Sequence, residues 1–288
     1  MGKVLAETIP DAARTFDEAN DALGFDLRTL CWNGPASELE RTANAQPAIL
    51  ATSIAALRAA QAEGLTGDPI LLGHSLGEFT ALVAGGAIEF GDALRLVRKR
   101  GELMQAADAS GGMAAVLGLD ADAVAKAIAG TGIVVANDNA PGQVVVTGPL
   151  AAMPAATEKL KAAGAKRVIP LKVSGAFHSP AMQAVAPQLA EAIRSTPFNA
   201  LKYPVIANVD AQVHEHASDF VELLEKQVHS PVQWVASVRR AAAEGATTFI
   251  EFGAGNVLTG LVKRILPDAR TANVSDPATL EEALHLVR

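Results

Sequence analysis

The chain has 288 residues, of which 50% are hydrophobic and 4% aromatic, and its formal net charge is −7. That length suits one large domain, or a large domain that carries a smaller one, and the acidic balance argues against a nucleic-acid-binding surface. The single cysteine, Cys31, excludes an intrachain disulfide and a cysteine-based zinc site. Without an apolar run of about 18 residues or a signal-peptide pattern, the sequence predicts a soluble cytoplasmic protein with no membrane contact.

The first part of the chain has the apolar spacing of helices, interrupted by one short strand. Small apolar residues are common, which suits helices packed against a parallel sheet. An apolar run at 69–72 has the length of a buried strand, and a tight turn at 73–77 follows it. Helices are predicted where apolar residues recur at helical spacing: 5–20, 46–63, 78–84 and 90–107.

The pattern changes after the glycine pair at 111–112, which is a natural hinge. The elements that follow alternate as strand, helix, strand, strand, helix and strand: 113–117, 120–129, 133–136, 143–147, 150–163 and 167–173. This order is typical of a ferredoxin-like domain. We therefore predict a small domain over 111–175, inserted into a large domain that is formed by 1–110 and 176–288.

Beyond the small domain the chain returns to helices and short strands. Helices are predicted at 180–195, 218–229 and 234–244, and strands at 205–209 and 248–252. Helices and strands that alternate in this way predict an α/β fold.

The strongest local signal is GHSLG at 73–77, a G-x-S-x-G motif between a predicted strand and a predicted helix. Such a sharp turn exposes the serine oxygen, here that of Ser75, above the sheet. The helix start favours a developing negative charge, and the N–H of Leu76 is the expected donor to it. The alternative is an accidental match in an unrelated turn.

A serine nucleophile needs a base, and the chain has six histidines. His74 is poorly placed, because it is adjacent in sequence to Ser75. His178 lies in SGAFHSP at 174–180, a strand-to-helix junction with small residues that can point an imidazole into a cleft. From position alone, an ordinary loop histidine is an equal alternative.

Arg100 follows the serine by 25 residues, near the end of a predicted amphipathic helix. Considered alone, this position favours a solvated cation at the end of a helix. The functional alternative is a clamp for a substrate carboxylate, because the planar guanidinium can donate two parallel hydrogen bonds to a carboxylate.

These residues together resemble the malonyl-CoA:acyl-carrier-protein transacylases and the related acyltransferase domains of fatty-acid and polyketide synthases. The resemblance covers nearly the whole chain and implies an α/β-hydrolase-like core with a parallel sheet and an inserted ferredoxin-like (βαββαβ) small domain. It depends on seven motifs in order: GPASEL…T…QPAIL (34–50), GHSLGE (73–78), RGELMQ (100–105), NDNAPGQVVVTG (137–148), GAFHSPAM (175–182), SPVQW (230–234) and EFGAGNVLTGL (251–261).

The resemblance implies an acyl-carrier-protein S-malonyltransferase of fatty-acid biosynthesis. Ser75 would be the nucleophile, His178 the general base and Arg100 the carboxylate clamp. Malonyl-CoA would leave a malonyl ester on the serine, which the phosphopantetheine thiol of acyl carrier protein then attacks in a ping-pong reaction. Coenzyme A would be part of a substrate, with no cofactor and no metal, and we expect a monomer.

Three further residues take roles from the resemblance. Gln46 would line the cleft, with capping of a loop as the alternative. Gln233 would use its backbone carbonyl to orient His178, with an ordinary surface glutamine as the alternative. Phe177 resembles the malonyl-type signature, since acyltransferases for branched extender units often carry serine at that position.

One departure concerns the start of the chain. The family opens with a strand and a G-Q-G-S-Q loop, whose first glutamine supplies a second oxyanion donor. Residues 1–3 match the positions just after that loop. We expect a segment of about 15 residues, a strand and a loop of ordinary length, to be missing.

Two other functions stay open on the sequence. A serine esterase or thioesterase would normally need an acid partner between the serine and a late histidine, and none is evident. A subunit that docks carrier protein without catalysis is the second alternative, because of the missing loop.

Overall fold

The computed structural model describes residues 1–107, 110–173 and 175–287. No helix in these ranges combines the length and apolar character that a membrane span needs. The helices are α1 (Lys3–Thr8), α2 (Pro10–Leu23), α3 (Leu27–Asn33), α4 (Ala36–Leu39), α5 (Thr42–Ala62), α6 (Leu76–Ala84), α7 (Phe90–Ala107), α8 (Ala121–Ala127), α9 (Met153–Ala162), α10 (Ala186–Ser195), α11 (Asp219–Gln227), α12 (Trp234–Ala243), α13 (Val257–Ile265) and α14 (Pro277–Val287). The strands are β1 (Leu71–Leu72), β2 (Gly111–Leu117), β3 (Val134–Ala140), β4 (Gln143–Pro149), β5 (Arg167–Pro170), β6 (Val205–Ile206), β7 (Val213–His214), β8 (Thr248–Phe252) and β9 (Arg270–Val274). The predicted α/β class is confirmed.

The large part of the molecule contains two short parallel pairings. β1 pairs parallel with β6, where Leu71 faces Val205 and Leu72 faces Ile206, and β6 pairs antiparallel with β7. β8 pairs parallel with β9 along its length. The predicted parallel sheet is therefore present as two separate sheets. Because parallel strands end at the same edge, the residues after β1 and those after β6 lie side by side.

Four strands form a separate antiparallel sheet in the order β5-β2-β4-β3. β2 runs against β4, from Gly111 opposite Pro149 to Leu117 opposite Gln143. This strand order, with the connecting helices α8 and α9, is that of the predicted ferredoxin-like domain. The domain has its own apolar core: Ala114, Val116, Val124, Ile128, Ile133, Val144, Val146, Ala156 and Leu160. Its predicted limits, 111–175, stay a prediction.

The core of the large part is built around α5, which packs against α2 and α7. Gly101 of α7 lies so close to the start of α5 that a Cβ there would be 2.6 Å from the carbonyl oxygen of Thr42. Glycine is therefore required for this approach. The close packing brings Arg100 of α7 beside Gln46 of α5, and so sets one wall of the site described below.

Prolines explain two differences from the predicted helices. The predicted helix 5–20 is divided because Pro10 has no N–H to donate into a continuing helix, and α2 begins at this residue. The predicted helix 180–195 is likewise divided into a 3₁₀ turn, Pro180–Ala184, and α10. Pro187 stands in the first turn of α10, where its missing N–H costs nothing.

The strand β3 is longer than predicted and includes residues 137–139, which the sequence places in a turn. Two bulges in its pairing with β4 accommodate these polar residues, one between Val135 and Asn137 and one between Asp138 and Ala140. Because of this extension, Asn139 contacts the large part of the molecule at His74. β9 and α14 were not predicted, and the polar strand β9 owes its conformation to its pairing with β8.

Candidate active site

Ser75 lies in the predicted turn between β1 and α6. Its backbone has φ 52° and ψ −104°, a conformation that costs a residue with a Cβ on the order of 1–3 kcal/mol. Gly73 makes the turn possible, because a Cβ there would lie 1.9 Å from the carbonyl oxygen of Gly77. At Gly77 itself a Cβ would meet nothing within 4 Å. Only the first glycine of the motif is therefore required by close contact.

The backbone N–H groups of the turn have different partners. The N–H of Ser75 donates to Oδ1 of Asn208 at 2.7 Å. The N–H of Leu76, at the first position of α6, has no acceptor among the hydrogen bonds of the described residues. It therefore stays available to a charge that develops near Ser75, which is the place that the sequence proposes for an oxyanion.

His178 stands directly against the serine. Its Nε2 lies 2.8 Å from Oγ of Ser75, and its Nδ1 lies 3.0 Å from the carbonyl oxygen of Gln227 and 3.2 Å from that of Ser230. Because a carbonyl only accepts, Nδ1 carries the hydrogen and Nε2 is free to accept the serine proton. Burial, followed by the positive charge of Arg100, lowers the pKa of His178 to about 3 and keeps the ring neutral. Ser174, in the motif that led to His178, lies outside the described residues.

The expectation that the carbonyl of Gln233 orients His178 is wrong. That carbonyl accepts from the N–H and the hydroxyl of Ser237, both at 2.9 Å. The side chain of Gln233 donates to the carbonyl of Val209. The orienting carbonyls belong to Gln227, at the end of α11, and to Ser230. A helix leaves its last carbonyls without partners, so the end of the predicted helix 218–229 was the signal for this function.

Arg100 is not a solvated cation but a buried one, with 1% of its surface exposed. Nη1 donates to Oε1 of Gln46 at 2.8 Å, and Nη2 donates to Oγ of Ser75 at 3.1 Å and to Oε1 of Gln227 at 2.9 Å. Nε is buried and has no partner in the described part of the chain. Burial lowers the pKa of Arg100 to about 10, and the carboxyl of Glu78 opposes this shift. The guanidinium is therefore fixed beside the serine with a donor still unused.

Gln46 and Phe177 also lie at this site. Gln46 is buried, and it fixes the guanidinium of Arg100 with its amide oxygen while its nitrogen donates to the sulfur of Met104. Phe177 is buried beside His178, and its ring occupies the space that a Cβ on Gly175 would need. Both side chains lie next to the residues around Ser75, and Gln46 contacts Arg100 directly.

Two buried residues that the sequence reading did not single out connect these groups. Glu78 is fully buried in α6, and its Oε2 accepts from the N–H of Asn208 at 3.1 Å and from Nε2 of Gln227 at 2.8 Å. Burial raises the pKa of Glu78 to about 7 against these hydrogen bonds. Gln227 also donates to the carbonyl of Ser75 at 2.9 Å. A glutamate inside the mostly apolar helix LGEFTALVA was the available signal.

The ferredoxin-like domain reaches the site through β3. Nε2 of His74 lies 2.7 Å from Oδ1 of Asn139, and burial lowers the pKa of this histidine. The N–H of Val232 donates to the carbonyl of Ala136 at 2.9 Å. His74 thus contacts the small domain and not the serine oxygen. Its position next to Ser75 in the sequence had made it a poor candidate for the base. In the described residues, no three His, Cys, Asp or Glu side chains are grouped as they are in a metal site.

Known proteins resemble this chain over most of its length. Residues 1–280 match the family model for the acyl transferase domain. The chain belongs to the acyl transferase family. A relative from Bacillus subtilis, named malonyl CoA-acyl carrier protein transacylase, is 45% identical, and the match covers 100% of this chain and 93% of that protein.

Solved structures of this family superpose closely. An acyl-carrier-protein S-malonyltransferase from Burkholderia pseudomallei is 43% identical with a TM-score of 0.96, and the match covers 99% of this chain and 95% of that one. A type II PKS acyl-carrier protein in complex with its malonyl-transacylase gives 40% identity and a TM-score of 0.95, over 99% and 94% of the chains. These matches confirm the predicted fold of the family, a core with an inserted ferredoxin-like domain.

Proposed function

We propose that this chain transfers a malonyl group from malonyl-CoA to the phosphopantetheine thiol of acyl carrier protein, through a malonyl ester on Ser75. One observation carries the proposal: Oγ of Ser75 is within hydrogen-bond distance of both His178 Nε2 and Arg100 Nη2. The first contact makes the serine a nucleophile, and the second places a cation where an acyl group with a carboxylate would bind. The names of the relatives support the same reaction.

The first half of the reaction forms the ester. The hydroxyl of Ser75 gives its proton to Nε2 of His178 as Oγ attacks the thioester carbonyl. The new oxyanion lies at the start of α6 and accepts from the N–H of Leu76. When the tetrahedral intermediate collapses, the carbon–sulfur bond breaks and the coenzyme A thiolate takes the proton from the imidazolium. His178 returns to its neutral form.

Arg100 selects the acyl group in this proposal. A carboxylate accepts well from a guanidinium, and the pair is strongest where water is excluded. Arg100 is held by Gln46 and Gln227 and keeps its Nε–H unused. The malonyl carboxylate would use this donor and displace the contact between Nη2 and Ser75 Oγ, which frees the serine oxygen for attack.

The second half of the reaction reverses these steps with a different thiol. The phosphopantetheine thiol gives its proton to Nε2 of His178, and the sulfur attacks the ester carbonyl. The bond to Ser75 Oγ then breaks, and the serine oxygen recovers the proton from the imidazolium. No acid side chain is needed, because the carbonyls of Gln227 and Ser230 hold the ring in the required tautomer.

The proposal also covers cofactor use, oligomeric state, location and partner. Coenzyme A enters as part of the substrate, and the chemistry uses only side chains and backbone groups of the chain, without a cofactor. We propose a monomer that acts in the cytoplasm, with residues 111–175 as the inserted domain. Acyl carrier protein is the proposed partner, supported by the related complex that contains one.

The proposal is tested by intact-mass spectrometry of the chain after incubation with malonyl-CoA. We expect a mass increase of one malonyl group, no increase in Ser75→Ala, and loss of the adduct when acyl carrier protein carrying phosphopantetheine is added. Release of free malonate at the same rate with and without carrier protein would instead indicate a hydrolase. A chain that binds carrier protein but gains no adduct would indicate a docking subunit.

A further inference from the structure

Asn208 holds the turn of the nucleophile from both sides. Its Oδ1 accepts from the N–H of Ser75 at 2.7 Å, and its Nδ2 donates to the carbonyl of Gly73 at 2.7 Å. The two bonds fix the backbone that leads into the strained residue Ser75, with His74 between the two bonded groups. No sequence motif singled out Asn208, and the mechanism above gives it no chemical step.

The position of Asn208 follows from the pairing of two strands. β1 ends at Leu72 and β6 ends at Ile206, and these two residues face each other in a parallel register. The residues that follow each strand therefore lie at the same edge, so that the turn after β1 meets the side chain of Asn208. This side chain is 1% exposed.

The backbone of Asn208 is fixed as firmly as its side chain. Its N–H donates to Oε2 of Glu78 at 3.1 Å, and its carbonyl accepts from the N–H of Gln233 at 2.9 Å. Gln233 directly follows Val232, which is hydrogen-bonded to β3 of the small domain. Asn208 is therefore anchored to α6, to the segment before α12 and, through that segment, to the small domain.

Only an amide satisfies both sides of the turn. The N–H of Ser75 needs an acceptor and the carbonyl of Gly73 needs a donor, and a carboxamide offers one of each in a fixed plane. A strained backbone persists only where its surroundings determine it. With a φ of 52°, Ser75 depends on such support, because without it the turn can relax and move Oγ away from His178.

We propose that Asn208 is a positioning residue that keeps Ser75 Oγ at hydrogen-bond distance from His178 and, by occupying the N–H of Ser75, leaves the N–H of Leu76 as the oxyanion donor of the turn. The proposal assumes the function given above for Ser75. It makes Asn208 act on the rate of attack rather than on binding of malonyl-CoA, because Arg100 is held by other side chains.

The substitution Asn208→Asp tests this proposal with almost no change of shape. An ionised carboxyl at that position accepts from the N–H of Ser75 but opposes the carbonyl of Gly73, whereas a protonated carboxyl can donate to it. Burial and the neighbouring carboxyl of Glu78 both raise the pKa of the introduced group. The protonated, competent form therefore increases as pH falls.

The measurement is the rate of malonyl-enzyme formation, by rapid quench and intact mass, between pH 5 and 9. At high pH we expect Asn208→Asp to be on the order of 10²-fold slower than the wild type, since misplacement by about 1 Å costs that much, with little change in KM. The ratio of variant to wild-type rate should rise as pH falls. The matched control is Asn20→Asp, because Asn20 also uses both amide atoms, with Asp26 and Arg28, but lies on α2. Its ratio should stay near one at every pH.

A rate ratio for Asn208→Asp that stays constant with pH, or that equals the ratio for Asn20→Asp, overturns the proposal. If Asn208→Asp does not fold at high pH, Asn208→Ser decides, because its single hydroxyl cannot reach both sides of the turn. It must slow ester formation with KM unchanged, and a wild-type rate overturns the proposal. Ser75→Ala is measured in parallel, and an adduct that persists there refutes the function of Ser75 rather than the function of Asn208.

Discussion

At the scale of single residues, the proposed function assigns the choice of acyl group to Arg100. Arg100→Ala would remove the proposed partner of the malonyl carboxylate in a buried site. We expect kcat/KM for malonyl-CoA to fall by a factor equivalent to about 2–4 kcal/mol of transition-state free energy. Acetyl-CoA has no such carboxylate and should lose far less. The measurement is kcat/KM for both donors.

The control for this prediction is Arg95→Ala, since Arg95 lies on the same helix but pairs with Asp92 at the surface. It should leave both donors unchanged. Equal slowing of both donors by Arg100→Ala would show that the guanidinium serves only the serine and not the substrate.

Glu78 gives the site a dependence on pH that acts through stability. Its pKa is raised from 4.5 to about 7 by burial, so between these values the folded chain binds a proton that the unfolded chain releases. The stabilisation is fully present below pH 4.5 and is lost as pH rises to about 7. At 1.36 kcal/mol per pKa unit, the loss is on the order of 3 kcal/mol.

Glu78→Gln tests this, because the amide keeps an acceptor for Asn208 and Gln227 but does not titrate. Urea unfolding of both proteins at pH 5 and pH 7.5 measures the effect. We expect the wild type to lose more free energy of unfolding than Glu78→Gln over that interval. The same loss in both proteins would mean that Glu78 is ionised throughout.

The residues of the site differ in how far they can be predicted from the sequence. Ser75 lies in a motif whose glycine is needed for a close contact, and the resemblance pointed to His178 and Arg100. No sequence spacing predicts Asn208 or Gln227. Asn208 reaches the site because β6 pairs with β1, and Gln227 reaches it because α11 ends there. Gln233 was assigned the carbonyl function because it stands in a motif, although the free carbonyls lie a few residues earlier.

At the scale of elements, helices and strands are predictable where the residue pattern of a single segment decides its structure. The helix at 90–107 and the strand at 248–252 have the predicted bounds. Apolar periodicity is enough for the helix, and a short run rich in aromatic and β-branched residues is enough for the strand. The strand β9 is polar, and only its partner β8 makes it a strand. The polar residues of β3 have the pattern of a turn, and the sequence predicts one there. They form a strand because of their bulged pairing with β4, which the sequence of β3 alone does not show.

The pairing of elements also explains why the site is rigid although its strands are short. β1 and β6 have two residues each, which is few for a stable pair. The side chain of Asn208 extends this pairing beyond the strands by bonding to the carbonyl of Gly73 and to the N–H of Ser75. The end of α11 contributes in the same way, because its last residue bonds both to His178 and to Arg100.

At the scale of the whole molecule, the two parts of the chain share one network. Val232 exchanges hydrogen bonds with β3, donating to Ala136 and accepting from Asp138 at 3.0 Å. Two residues before it stands Ser230, whose carbonyl holds His178. The segment that contains Ser230 and Val232 thus pairs with β3 like a short parallel strand. Through this pairing the small domain helps to fix the position of His178.

The contact between His74 and Asn139 is the side-chain part of this network, and it predicts an energetic coupling. His74 directly precedes Ser75, and its half-buried contact with Asn139 is 2.7 Å long, with the neutral imidazole donating to the amide oxygen. A double-mutant cycle of His74→Ala and Asn139→Ala, followed by urea unfolding, should give a coupling free energy of about 0.5–3 kcal/mol. As control, Asn199→Ala breaks an exposed contact with Glu89 and should be additive with His74→Ala. Additivity of His74→Ala with Asn139→Ala would show that the two parts of the chain are held together by the backbone bonds of β3 alone.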